Sequence, residues 1–256
     1  MLGIFDSGLG GLTALKALRQ LAPNEDIVYL GDTARVPYGT RSAETIKKYA
    51  CECAEFLMGK GIGRLLVACG TVSANALDVL TDGFPFPVTG VISPASRRAA
   101  SLTKNGKIAV LATGATVRSR SFEKALHGID GELEVFQRAC PLFVPLVENG
   151  IPQDSELVRL TCEMYLSDVR DFGADTVILG CTHYPIIADA IKKALPGTEV
   201  ISSGGEAARE IAPYLGNCGA GRVTFYVTDD AEGFSANAAT FLGSPPDGEV
   251  IAAAFN

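Results

Sequence analysis

The chain has 256 residues, is 47% hydrophobic and carries a net charge of −7, which supplies apolar material for one large domain or two ordinary ones. No stripe of lysine and arginine speaks for nucleic acid, and no apolar run nears the ~18 residues that cross a bilayer. With no basic leader before Asp6 and an odd set of seven cysteines, the expectation is a cytoplasmic protein without a disulfide framework.

Strands and helices alternate along the chain. A strand is predicted at 2–5, then the glycine-rich turn Gly8–Gly11, then a helix at 12–21 with Leu12, Leu15, Leu18 and Leu21 on one face. A strand at 26–30 follows, then a helix capped by Ser42 that runs to about Met58. Cys51 and Cys53 read as packing residues of that helix, because Cys51-Glu52-Cys53 has no second ligand pair at zinc spacing. Next come a strand at 65–68, a helix at 71–80 and a strand at 88–91.

The second half repeats the scheme. Strands are expected at 108–111, 134–137, 176–179, 200–202 and 223–227, and helices up to Leu126 and at 157–172, 186–194, 205–215 and 233–242. Arg118-Ser119-Arg120 reads as a solvated helix start. Such alternation predicts parallel sheets covered on both faces.

Three landmarks recur in order at nearly constant offset, namely Ser7-Gly8 with Thr113-Gly114, Val36-Pro37 with Val144-Pro145, and Cys69 with Cys181. They point to an internal duplication. Each lies just after a predicted strand, where open α/β sheets bind ligands. The fold expected is α/β, with domains at 1–92 plus 205–256 and at 93–204 and a site between them.

Cys69 in Ala68-Cys69-Gly70-Thr71 and Cys181 in Gly180-Cys181-Thr182-His183 carry the chemistry. Each follows a buried strand and is expected to open a helix, whose N-terminus lowers a thiol pKa. Two thiols presented alike can remove a proton from one face of a carbon and return one to the other. Thr71 and Thr182 can donate to a carboxylate, His183 can tune the second thiol, and Glu148 can orient His183. Asp6 can do the corresponding work for Cys69. For Asp6 and Ser7 two readings stay open, an ammonium site or a plain turn with Asp6 as its cap. For Pro37-Tyr38-Gly39 they are a carboxylate site using backbone N–H groups and the Tyr38 hydroxyl, or a turn fixed by proline and glycine.

Taken together, Gly3-Ile4-Phe5-Asp6-Ser7-Gly8-Leu9-Gly10-Gly11, Tyr29-Leu30-Gly31-Asp32, Val144-Pro145-Leu146-Val147-Glu148 and Gly180-Cys181-Thr182-His183-Tyr184-Pro185 resemble the glutamate racemases of the aspartate/glutamate racemase superfamily. The resemblance implies two pseudo-symmetric domains, a cofactor-independent isomerase without a metal, and L- and D-glutamate as substrates. It further implies D-glutamate supply for peptidoglycan in a bacterial cytoplasm, a homodimer, and no membrane or nucleic-acid partner. It makes Cys69 the base for D-glutamate and Cys181 the base for L-glutamate, assisted by Glu148 and His183. It puts Asp6 and Ser7 at the substrate, Pro37, Tyr38 and Gly39 at its side-chain carboxylate, and Thr71, Thr116 and Thr182 near its amino and α-carboxylate ends.

Gly70 departs from the family pattern, which has asparagine there, and Ser202-Ser203-Gly204 stands where the family often has aspartate. Loss of the asparagine donor leaves room and a backbone N–H. Asparagine at position 70 is therefore expected to raise kcat/KM. A different amino-acid substrate and an inactive glutamate-binding protein are the alternatives that Gly70 keeps open.

Overall fold

The computed structural model describes residues 1–253 and 255. The first half runs β1 (Leu2–Asp6), α1 (Leu12–Leu21), β2 (Ile27–Gly31), α2 (Ala43–Gly59), β3 (Arg64–Val67), α3 (Gly70–Asn75), α4 (Leu77–Gly83) and β4 (Val88–Gly90). A helix α5 (Ile92–Leu102) leads to β5 (Lys107–Ala112), α6 (Gly114–Ser119), α7 (Ser121–His127), β6 (Glu134–Ala139), α8 (Phe143–Glu148), α9 (Glu156–Phe172), β7 (Thr176–Leu179), α10 (Ala188–Ala194) and β8 (Glu199–Ser202). The chain closes with α11 (Ser203–Ile211), β9 (Val223–Val227), α12 (Ala231–Leu242) and β10 (Val250–Ala252).

All strand pairs are parallel. One sheet has the order β10-β9-β2-β1-β3-β4 and the other β6-β5-β7-β8. The run β2-β1-β3-β4 matches β6-β5-β7-β8 strand for strand, so the duplication read from three landmarks extends to the topology. Cys69 follows β3 and Cys181 follows β7, the corresponding strands. Val36-Pro37 and Val144-Pro145 likewise follow β2 and β6. They differ in conformation: the first is extended loop and the second lies inside α8.

Burial on both faces explains the continuous apolar runs. All five residues of β1 and all of β2 are buried, as parallel strands under helices require. Each buried Leu or Ile side chain contributes about 1.5–3 kcal/mol. Helix α11 packs on α1 and on α5, so one hydrophobic core runs from the first sheet to the second. A second core lies beneath α2 on the other face of the first sheet. Among the described residues no helix is long and apolar enough to cross a membrane.

Caps fix several helix starts where the sequence placed them. The Ser42 hydroxyl accepts the Thr45 N–H at 3.3 Å, and Thr113 accepts the N–H of Thr116 at 3.4 Å. Two predicted helices are each broken in two. The 71–80 segment divides at Ala76, and the helix after Thr113 divides at Arg120, which has φ 55°. Three elements were not anticipated: α5, α8 and β10.

Candidate active site

The loops after β1, β2, β3, β5, β6 and β7 converge on one cavity of about 660 Å³. Ser7, Pro37, Tyr38, Gly39, Cys69, Gly70 and Thr71 line it from the first half, and Glu148, Cys181, Thr182 and His183 from the second. Cys69 is 5% exposed and Cys181 6%, so both thiols stand in a wall that excludes most water.

Cys69 is the N-cap residue of α3 and its thiol donates to the Ser7 Oγ at 3.4 Å. Burial pushes this thiol up to about 12, and the neighbouring Asp6 adds to the rise, against its hydrogen bonds with Ser7 and the Val72 N–H. The lowering expected from the helix start is thus overcome, because α3 is only one and a half turns long while desolvation disfavours any buried thiolate. Cys181 does not open a helix directly; a 3₁₀ turn, Tyr184–Ile187, comes first and α10 begins at Ala188.

His183 sits between Cys181 and Glu148. Its Nδ1 is 4.0 Å from the Cys181 Sγ and its Nε2 2.9 Å from the Glu148 Oε1. Burial alone lowers an imidazolium pKa, but these two hydrogen bonds and the charges behind them overcome it and raise His183 to about 10. The ring also meets Phe241 of α12 edge to face, with centroids 5.3 Å apart. Glycine at position 10 permits this crowding. A Cβ there would stand 2.7 Å from the His183 Cε1 and inside contact with the Thr182 hydroxyl.

Asp6 and Thr116 lie behind the cavity wall rather than in it, both fully buried. Asp6 accepts the Gly8 N–H at 2.9 Å, which is the turn-cap reading, and accepts the Thr182 hydroxyl at 3.4 Å, which ties the second cysteine loop to β1. Burial raises the Asp6 carboxyl above its ordinary value, opposed by the His183 charge and the N–H groups of Gly11 and Gly8. In this geometry the Asp6 side chain holds the Gly8 turn and the Thr182 loop from behind the wall. Thr116 is reached only through Thr113, whose hydroxyl lies 3.1 Å from that of Thr116 and 2.9 Å from that of Thr71. Thr113 is the residue that lines the cavity.

The Tyr38 hydroxyl also differs from expectation. It donates to the fully buried Asp32, which also takes Arg35 and the Thr228 hydroxyl. The Tyr38–Thr40 turn therefore offers the cavity its backbone and ring, while the hydroxyl anchors the loop from behind.

At Gly70 the two cysteine loops touch backbone to backbone. A Cβ there would fall inside contact with the Gly180 carbonyl oxygen and 3.2 Å from its carbon. Any side chain at position 70 requires the two loops to part, a steric cost that opposes the expected benefit of an asparagine donor. Val36, Thr40, Thr113, Gly114, Arg118, Pro141, Val144 and Pro145 complete the wall and were not named as site residues from the sequence. Thr113 had a signal, its place in the repeat, whereas Arg118 carried only the signature of a solvated helix start.

A family model for Asp/Glu/Hydantoin racemase matches residues 13–211. The chain is 45% identical over 254 residues to the glutamate racemase of Aquifex aeolicus, covering 99% of this chain and 98% of the relative. It is 46% identical over 251 residues to that of Geobacter metallireducens, covering 94% and 92%. Among solved structures, glutamate racemase isoform RacE1 of Bacillus anthracis superposes with a TM-score of 0.94 at 36% identity, covering 99% of this chain and 97% of that one. The glutamate racemase of Francisella tularensis in complex with D-glutamate superposes with a TM-score of 0.91 at 34% identity, covering 100% and 97%.

Proposed function

The chain belongs to the Asp/Glu/Hydantoin racemase family, and from that premise we propose that Cys69 and Cys181 are the two bases with which this amino-acid racemase interconverts L- and D-glutamate. One observation carries the assignment of bases. A single cavity receives one thiol from each half of a duplicated fold, on corresponding strands.

The electrostatics support a division of labour. Cys69, held as a neutral thiol, is ready to give a proton. Cys181 has the His183 imidazolium beside it, with its Sγ 4.0 Å from the ring Nδ1. In the L-to-D direction Cys181 removes the α-proton of L-glutamate, a planar carbanionic centre forms, and the Cys69 S–H protonates its other face. In the reverse direction the roles exchange. The substrate ammonium brought against Cys69 is then the positive charge that favours its thiolate. Glu148 fixes the His183 ring, and Asp6 holds the Thr182 hydroxyl and the turn at Gly8. The Pro37-Tyr38-Gly39 backbone, Ser7, Thr71, Thr113 and Thr182 supply the donors that a glutamate carrying two carboxylates needs. A homodimer, supply of D-glutamate to peptidoglycan and a cytoplasmic setting belong to the same proposal and rest on the family resemblance.

The test is racemisation followed by circular dichroism. The ellipticity of L-glutamate is expected to decay to zero with the purified protein, and persistent ellipticity would refute the reading. The pH profile has a set sign. A histidine raised to about 10 keeps its imidazolium form below that value and loses it as pH rises through it. The rate from L-glutamate is therefore expected to fall on the alkaline side with an apparent pKa near 10, a property of the coupled Cys181–His183–Glu148 group.

A further inference from the structure

Arg118 is a cation of the cavity wall to which the two-base chemistry gives no part. It stands in the last turn of α6, is exposed at its outer edge, and lines the cavity that holds both cysteines. Among the described residues its guanidinium has no hydrogen-bond or ion-pair partner. His183, the other cation of the wall, is already engaged by Glu148. The Arg118 guanidinium folds back along its helix over Gly114. A Cβ on Gly114 would have the Arg118 Nη1 at 3.0 Å and the Gly39 carbonyl oxygen at 3.8 Å, so cation and Pro37-Tyr38-Gly39 turn meet above the same point.

That turn comes from the first half of the molecule and Arg118 from the second. The turn itself holds no charge, and its one side-chain hydroxyl is spent on Asp32. A carboxylate docked on its backbone N–H groups would still need a positive charge. Arg118 can supply it, because a guanidinium stays charged at any working pH and grips a carboxylate in a forked pair.

We propose that Arg118 is a specificity-determining residue that pairs with the distal carboxylate of the substrate at the mouth of the cleft. It selects an amino acid with an acidic side chain over its neutral amide and draws that acid into a protein of net charge −7. The assignment rests on glutamate being the substrate and on its side-chain carboxylate facing Gly39.

The experiment compares wild type with Arg118→Gln and Arg118→Lys. It measures racemisation of glutamate at low and high salt, and D-glutamate binding by calorimetry. A distal contact present equally in ground and transition states changes KM and leaves kcat alone. Arg118→Gln is expected to raise KM for glutamate about tenfold, weaken binding by the same factor and flatten the salt dependence, with kcat retained. Arg118→Lys is expected to keep the salt dependence and recover part of the loss. Because the side chain is exposed and unpartnered, both variants should melt with wild type. An unchanged KM and salt response in Arg118→Gln would overturn the proposal, as would a loss confined to kcat. If wild type racemised no glutamate, the two-base reading would fall, while the calorimetric arm would still decide whether Arg118 holds the ligand.

Discussion

Replacing Cys69 or Cys181 by alanine is expected to lower glutamate racemisation about 10³-fold or more, in both directions and to a similar degree. A positioned acid or base contributes about 10²–10⁴-fold, or about 3–5 kcal/mol of barrier. Each thiol is the base in one direction and the acid in the other, so neither direction can escape. The surrounding donors remain, so substrate should still bind. Both cysteines line the cavity, and truncating either enlarges that cavity rather than opening a void elsewhere in the core. The double variant should be little slower than the singles, since two groups acting as one unit are not additive. Near-wild-type turnover in either single variant would remove that cysteine from the mechanism.

Gly70 gives the second large effect. A Cβ at this position would fall inside contact with the Gly180 carbonyl oxygen, so even alanine must push the two cysteine loops apart. Overpacking of this kind costs about 1–3 kcal/mol of stability. Displacing the thiols by the same movement is more damaging to catalysis, where about 1 Å can cost ~10²-fold. Gly70→Ala and Gly70→Asn are both expected to melt earlier and to lose about 10²-fold in kcat/KM for glutamate. Comparing the two separates steric from donor effects. If Asn matched or exceeded wild type while Ala fell, the loops would have given way and the asparagine donor would be worth more than the fit. Equal losses would show that the site is built around glycine.

Much of this was legible in the sequence because the signals were periodic or repeated. The alternation from β1 onward gave parallel α/β sheets, and the paired Cys-containing strand ends gave the duplication that the order β2-β1-β3-β4 and β6-β5-β7-β8 carries through. Helix α5 was not anticipated; it carries Pro94 in its first turn, where proline is tolerated although it weakens a helical pattern. Helix α8 likewise carries a proline, Pro145, at its third position. Residue identity also does not say which way a polar atom points. Tyr38 lies in the expected loop with its hydroxyl turned to Asp32, and Thr116 caps nothing in the cavity because Thr113 stands in front of it. The Cys69 thiol followed the wrong rule for a similar reason. A helix start is visible in sequence, whereas the burial that outweighs it is a property of the closed fold.

Two sulfur acids on opposite faces of one carbon is the claim from which the rest follows, and isotope placement at early conversion reads it most directly. With L-glutamate in D₂O, the D-glutamate formed first should carry deuterium at Cα, while recovered L-glutamate keeps its protium. The same should hold starting from D-glutamate, with the labels exchanged. Protium retained in the product, or deuterium appearing equally in recovered substrate and product, would mean that one base serves both faces and would contradict the account.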